Sequence, residues 1–401
     1  MIQTTRLDNG LHVITATKSG CEATAISLWL HNGSRHQQVG ENGFAHFLEH
    51  LLFKGSATHS AQRLANAFEA MGGQINAHTS RELTGFYGFV PNANALELLQ
   101  LLMGMVLTPR FDDEDVRLER EVVLQEMAMV KDDSEEVLVE LATSHLWPNH
   151  PLGWPILGDP HTIKKATCAD LHRYLKGILQ GSRLWVVAYG GLEHNLLVDA
   201  CQPLTELPTG APPQTAPPTY LRHDMAQRYG IAQSCLLWDM PASAVTDERY
   251  PALVVANHLL GGGTTSRLFQ ELREKRGLVY GIQTHLELYA DCGLWSIQTS
   301  CDPDNLAECR HAVEQCAEEL IDSGPTEEEL DITRRFLKSA LMLETHNFEA
   351  SMERLAREAI YLNHHPTLDE KLERLDAVTV AEVKAILNAA WQQRSYGELS
   401  P

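Results

Sequence analysis

The chain has 401 residues, 44% of them hydrophobic, and carries 32 basic against 53 acidic side chains, a formal charge of −21. That length suits two domains better than one core, and the acid excess argues against a nucleic-acid partner, which requires a basic footprint. No apolar run is long enough to span a membrane, so a membrane is not an expected partner either.

The first residues, "MIQTTRLDNGLHVITAT", hold no apolar or Arg-rich targeting segment, and the expected location is cytoplasmic. Asn9-Gly10 is a turn signal, followed by apolar alternation in "LHVITAT" and by a second strand in "ATAISLWLH". A largely apolar helix follows in "NGFAHFLEHLLFKG", residues 42–55. The next helix, "SAQRLANAFEAM", starts at a Ser60 cap and stops at Gly72-Gly73. "QINAHTS" and "LTGFYGFV" read as strands, and helices are predicted over about 92–106, from about 112 towards Trp147, and over about 168–179, leading to the strand "RLWVVAY". Hairpins mixed with helix pairs give an α+β domain over 1–202.

Pro203, Pro208, Pro212, Pro213, Pro217 and Pro218 then mark 203–219 as a semi-extended linker. The remainder, 220–401, repeats the first half faintly and in the same order. "NHLLGGG" at 257–263 echoes "EHLLFKG" at 49–55, and Thr379, Ala381, Glu382 and Val383 echo Thr167, Ala169, Asp170 and Leu171. Gly277 and Tyr280 are spaced as Gly73 and Asn76. The second copy has Val254 and Asn257 where the first has His46 and Glu49, and its terminal "RSYGELSP" offers no match for the first copy's last strand. The eight cysteines form no CxxC pair and read as reduced structural thiols, with Cys309 and Cys316 on one helix face. Gly261-Gly262-Gly263 is no phosphate loop, because no Gly-Lys-Ser/Thr follows.

His46 and His50 stand four apart on the apolar helix, so both imidazoles can point at one atom, with Glu49 beside them. Two neutral imidazoles and a carboxylate are the ligand set of a catalytic zinc ion, which keeps one position open. Glu126 offers the third ligand: it sits among Val122, Val123, Met129 and Val130 on the helix from about 112, with Glu119 two turns earlier on the same stripe. A carboxylate in such a stripe needs a partner, although a half-exposed acid at a helix edge fits the bare sequence as well.

With these residues in place the chain resembles the pitrilysin family of H-x-x-E-H metallopeptidases, the inverzincins, which includes insulin-degrading enzyme and mitochondrial processing peptidase. Their motif is followed about seventy-five residues later by a Glu ligand; here 75 residues lie between His50 and Glu126, and the family's further acidic residue falls on Glu119. "GGQINAHTSRELTGFY", "HPLGWPILG" at 150–158 and "GGGTTSRLFQELREKRGLVYG" at 261–281 extend the likeness over nearly the whole chain. The resemblance implies two related domains, each a mainly antiparallel sheet flanked by helices, and one Zn2+ per chain on His46, His50 and Glu126. It also implies peptide hydrolysis with Glu49 as general base and Glu119 supporting a ligand. By the same likeness Asn76 and Ala77 lie on a strand edge that pairs with an extended peptide, and Arg273 and Tyr280 hold the substrate. Read without the likeness, "ELREKRG" is a solvated helix end. Family members enclose a chamber with four such domains, so a chain of this length is expected to form a homodimer, with a heterodimer of related subunits as the alternative. A binding or scaffold subunit of a peptidase complex is the rival to an active enzyme.

Overall fold

The computed structural model describes residues 2–401. Its strands are β1 (Ile2–Arg6), β2 (His12–Thr17), β3 (Ala23–Leu30), β4 (Gln74–Thr79), β5 (Thr84–Pro91), β6 (Leu184–Gly190), β7 (Met225–Arg228), β8 (Ser234–Ala242), β9 (Val279–Leu288), β10 (Gly293–Cys301) and β11 (Ser395–Ser400). The helices of the first half are α1 (Phe44–Leu52), α2 (Ala61–Ala70), α3 (Asn92–Leu107), α4 (Asp113–Asp132), α5 (Ser134–Leu146), α6 (Pro160–Lys165), α7 (Cys168–Ile178) and α8 (His194–Ala200). Those of the second are α9 (Tyr250–Gly261), α10 (Leu306–Ser323), α11 (Glu327–Glu344), α12 (Phe348–Arg357), α13 (Leu368–Asp376) and α14 (Val380–Trp391). Local chemistry sets several of these boundaries. Ser60 caps α2 by accepting from the Arg63 amide. The repeated Thr-x-x-acid strings are reciprocal capping boxes, Thr167 with Asp170 at α7 and Thr379 with Glu382 at α14.

The two sheets share one strand order apart from β1, which has no counterpart in the second. The first runs β1-β2-β6-β3-β5-β4 and the second β7-β11-β8-β10-β9. Each is antiparallel except for one parallel pair, β2 with β6 and β7 with β11. Strand alternation divides each sheet between two cores. In the first, Ile26, Leu28, Leu30 and Phe86 face α1, α3 and α7, while Trp29, Trp185 and Val187 face Met352, Leu355 and Ala356 of α12. In the second, Leu236, Trp238 and Ile297 face α9, α10 and α14, while Cys235, Leu237 and Leu399 face Val137, Leu138 and Ala142 of α5. Burying a Leu or Met side chain stabilises by roughly 1.5–3 kcal/mol, which anchors α12 and α5 on sheets far away in sequence.

Three features differ from the sequence expectation. The chain folds into two compact units that do not follow it in order: one comprises Met1–Met129, His150–Ala216 and Glu344–His365, the other Val130–Asn149, Pro217–Leu343 and Pro366–Pro401. Each half of the sequence therefore lends one helix to the unit built by the other. The helix expected from 112 to Trp147 breaks at Asp133, whose carboxylate caps α5 by accepting from the Glu135 and Glu136 amides, next to the point where the chain changes units. The terminal "SYGELS", expected to have no strand counterpart, forms β11 in the place that β6 holds in the first sheet. Its polar residues mask the signal, and its pairing with β8 and β7 supplies the order that propensity does not. Within the proline-rich stretch, 202–206 make a 3-10 turn and 208–224 carry no regular structure. Among the described residues no helix is long and apolar enough to cross a membrane.

Candidate metal centre

Helix α1, which carries His46, Glu49 and His50, starts against a turn from the 150–158 motif. Gly43 caps α1 with φ 96°, and a Cβ there would lie 2.6 Å from the Leu157 carbonyl oxygen. Gly158 approaches from the other side, where a Cβ would lie 2.3 Å from the Gly43 Cα. Only two glycines permit this contact, which fixes where α1 begins. Phe47, Leu48, Leu51 and Leu52 then bury the helix in the first unit's core. His46 and His50 leave on the remaining face, their rings 4.7 Å apart between centroids. Both Nε2 atoms stand 3.7 Å from Glu126 Oε2 on α4. One nitrogen or oxygen from each of His46, His50 and Glu126 lies within 4.8 Å of the others, the one such triad among the described residues.

These separations fit a shared ion. At 3.7 Å the pairs are too far apart for direct hydrogen bonds. Ligands about 2.0–2.1 Å from a tetrahedral zinc ion lie roughly 3.4 Å from each other, close to what is found. The donor set, two imidazoles and a carboxylate, is that of catalytic sites. Burial, with a smaller contribution from the neighbouring His50 ring, lowers the His46 pKa to about 4, so its ring is neutral and able to ligate near neutral pH. Its Nδ1 is buried without a hydrogen-bond partner in the protein.

A second layer orients this set. Glu119 is buried and lies 3.0 Å from His50 Nδ1 through Oε2, while Oε1 pairs with Lys54. A carboxylate only accepts, so the His50 proton sits on Nδ1 and the Nε2 lone pair faces Glu126. Glu49 is half-buried beside the cluster, and Thr79 Oγ1, at the end of β4, donates to its Oε2 at 2.5 Å. Burial raises the Glu49 pKa above the ordinary carboxylate value; the Thr79 hydrogen bond and the nearby His50 oppose the rise, and Glu126 adds to it.

One expectation about Glu126 needs correction. Its stripe is buried only in part: Val123 is buried, but the Glu126 side chain is 42% exposed, and its neighbours Val122 and Met129 are 44% and 71% exposed. The buried line of α4 is Val116, Glu119, Val123 and Met127, so Glu119 lies on the core-facing line and Glu126 at its edge. Sequence reasoning also missed Lys54 and Thr79. Lys54 stands four residues after His50, a spacing that signals a shared helix face; Thr79 carried no signal beyond its place in "QINAHTS".

The other expected site residues separate into two groups. Asn76 and Ala77 lie on β4, the edge strand of the first sheet, with the Asn76 side chain exposed. Arg273 and Tyr280 belong to the second unit. Arg273 sits in a π-helical segment, Phe269–Lys275, 5.6 Å from the Tyr280 ring centre and 4.7 Å from that of Phe269. Tyr280 is 89% exposed near the start of β9, the edge strand of the second sheet.

Residues 12–160 match the family described as insulinase (peptidase family M16), and residues 165–337 match the peptidase M16 inactive domain. An uncharacterised zinc protease of Mycobacterium tuberculosis is 33% identical over 410 residues, spanning 98% of this chain and 91% of that protein. This chain belongs to peptidase family M16. Another relative, an uncharacterised zinc protease of Bacillus subtilis, is 29% identical over 96% of this chain and 95% of its own length. The M16 fold is matched by the crystal structure of a protease from Helicobacter pylori, with a TM-score of 0.92, 20% identity and coverage of 100% of this chain and 99% of that one. A peptidase M16 inactive-domain structure from Pseudomonas fluorescens gives the same TM-score of 0.92 at 21% identity, covering 100% of this chain and 98% of that one.

Proposed function

We propose that the protein is a zinc-dependent endopeptidase acting on peptides and small unfolded polypeptides. The observation that carries this reading is the convergence of His46, His50 and Glu126 on one point, with the Glu49 carboxylate on the same helix. Those three residues would hold one zinc ion, which when bound supplies Lewis acidity for a water molecule and for the scissile carbonyl. Glu49 takes a proton from the attacking water and returns it to the leaving amine. A pKa raised by burial suits a carboxylate that must hold a proton between the two events. Glu119 keeps the His50 Nε2 lone pair in place through Nδ1, and Lys54 balances its charge. The free edge of β4 at Asn76 and Ala77 pairs with an extended peptide backbone, which gives affinity with little sequence demand. Tyr280 donates to the developing oxyanion, and Arg273 holds a substrate carbonyl.

The active form in this reading is a homodimer. A second reading, a binding subunit of a heterodimeric peptidase complex, is favoured by the inactive-domain match over 165–337. Zinc analysis combined with an internally quenched peptide library tests both. Wild type should carry one zinc per chain and cut peptides, while His46→Ala, His50→Ala and Glu126→Gln should each lose most of the metal. Tight zinc in all three variants would refute the site. A zinc-loaded wild type that binds peptides without cutting them would favour the subunit.

A further inference from the structure

Among the described residues the one hydrogen bond to the Glu49 carboxylate comes from Thr79. Thr79 is the last residue of β4, opposite Thr84 at the start of β5, and the hairpin turn 80–83 follows. That turn is held from several directions. The amides of Ser34 and Arg35 donate to the carbonyls of Ser80 at 3.1 Å and Arg81 at 2.7 Å. The Arg81 guanidinium donates to the Trp154 carbonyl at 2.6 Å. Arg35 makes an ion pair with Glu82 at 2.7 Å in which both side chains are buried. Gly33 approaches so closely that a Cβ would lie 2.4 Å from the Ser80 carbonyl oxygen. Thr84 Oγ1, across the hairpin, donates to the Asn32 carbonyl at 2.9 Å. Hairpin turns at a sheet edge are ordinarily among the more mobile parts of a fold; this one is fastened by backbone, ion pair and packing together. A threonine is also stiff about χ1, so a fixed backbone fixes its hydroxyl.

We propose that Thr79 is a positioning residue for the general base. Its hydroxyl engages Glu49 Oε2 and so orients the carboxylate with Oε1 available to the reacting water. The inference rests on the reading of Glu49 as the base. It adds a role for the hairpin: β4 offers its free edge at Asn76 and Ala77 and, three residues on, holds the base through Thr79. Peptide register and base placement are thus set by one rigid element, which removes a source of misalignment between attacking water and scissile bond.

The test uses Thr79→Val, which keeps the branched shape and removes the hydroxyl, and Thr79→Ser, which keeps the hydroxyl and removes the methyl group. A purely structural threonine in a half-buried strand predicts that valine is tolerated and serine is the weaker variant. The positioning role predicts the reverse order. For Thr79→Val, kcat should fall on the order of 10–100-fold, the scale of a small misplacement of a reacting group. KM, zinc content and the melting temperature of the metal-free protein should stay at wild-type values, and Thr79→Ser should keep kcat near wild type. In a Glu49→Gln background, Thr79→Val should cost nothing further, because the hydroxyl acts through Glu49. Wild-type kcat in Thr79→Val, or equal losses in the valine and serine variants, would overturn the inference. If Glu49→Gln itself turned over at the wild-type rate, the base reading would fall, and a Thr79→Val variant matching wild type beside an inactive Glu49→Gln would sink only the role of Thr79.

Discussion

Glu119 is the residue through which the support of the metal centre can be measured. Both of its oxygens are engaged: Oε2 lies 3.0 Å from His50 Nδ1, and Oε1 pairs with Lys54, with the carboxylate side chain only 10% exposed. Glu119→Gln preserves volume and removes the charge. In one orientation the new amide NH2 meets the Lys54 ammonium, and in the other it meets the His50 Nδ1–H, so one donor always faces another. Loss of the carboxylate behind a ligating imidazole costs about 10–100-fold in metal affinity, or roughly 1.4–2.7 kcal/mol. The cost to the fold should be smaller, on the order of 1 kcal/mol, because the Lys54 side chain is already 27% exposed and can turn to water. Competition with a chromogenic chelator gives the zinc Kd, and urea unfolding of the metal-free protein gives the stability. The expected result is a Kd raised 10–100-fold with a nearly unchanged unfolding midpoint, and a larger rise in Kd for Glu119→Ala. A wild-type zinc Kd in both variants would show that Glu119 does not hold His50, and the tautomer assignment would go with it.

The remaining predictions concern acid stability and the second unit. Burial, with Arg183 and Arg35 nearby, lowers the His31 pKa to about 4 from 6.5. The unfolded chain therefore binds the extra proton first, so this contribution is complete above about pH 6.5 and is lost as the pH falls towards 4, at most about 3 kcal/mol. Denaturant midpoints of metal-free protein across that range should fall less steeply in His31→Gln than in wild type, and parallel curves would refute the assignment. Arg273→Ala and Tyr280→Phe should keep full zinc and slow cleavage, whereas a solvated Arg and an idle Tyr would leave kinetics unchanged. If these residues act across a homodimer, mixing an excess of Glu49→Gln chains with Tyr280→Phe chains should restore activity that neither has alone. A fully active monomer by mass in solution would refute the shared assembly.

Helix geometry made the histidine pair legible, since His46 and His50 at i and i+4 share a face whatever the tertiary fold, whereas Glu126 was picked out by the spacing of the family resemblance. The degree of burial was not legible. A stripe of Val and Met around Glu126 shows that a face is apolar, and it does not show that anything covers it; Met129 is in fact mostly exposed. The same gap hid the exchange of helices. Met352, Leu355 and Ala356 announce a buried face on α12, yet nothing in their periodicity names the sheet of the other half as its partner. β11 escaped notice because Gly397 and Glu398 are poor strand formers and tertiary pairing overrides that preference. Thr79 is an ordinary threonine in sequence and gains its meaning only from the turn that fixes it.

The central claim is that His46, His50 and Glu126 hold a zinc ion for a reaction in which Glu49 moves the proton. The most direct measurement compares wild type and Glu49→Gln, each shown to carry one zinc per chain, on the same quenched peptide. The account predicts cleavage by wild type and a rate lower by on the order of a hundredfold or more in the amide variant, since a general base contributes about 10²–10⁴. Equal rates in the two proteins, or no cleavage by zinc-loaded wild type, would contradict it.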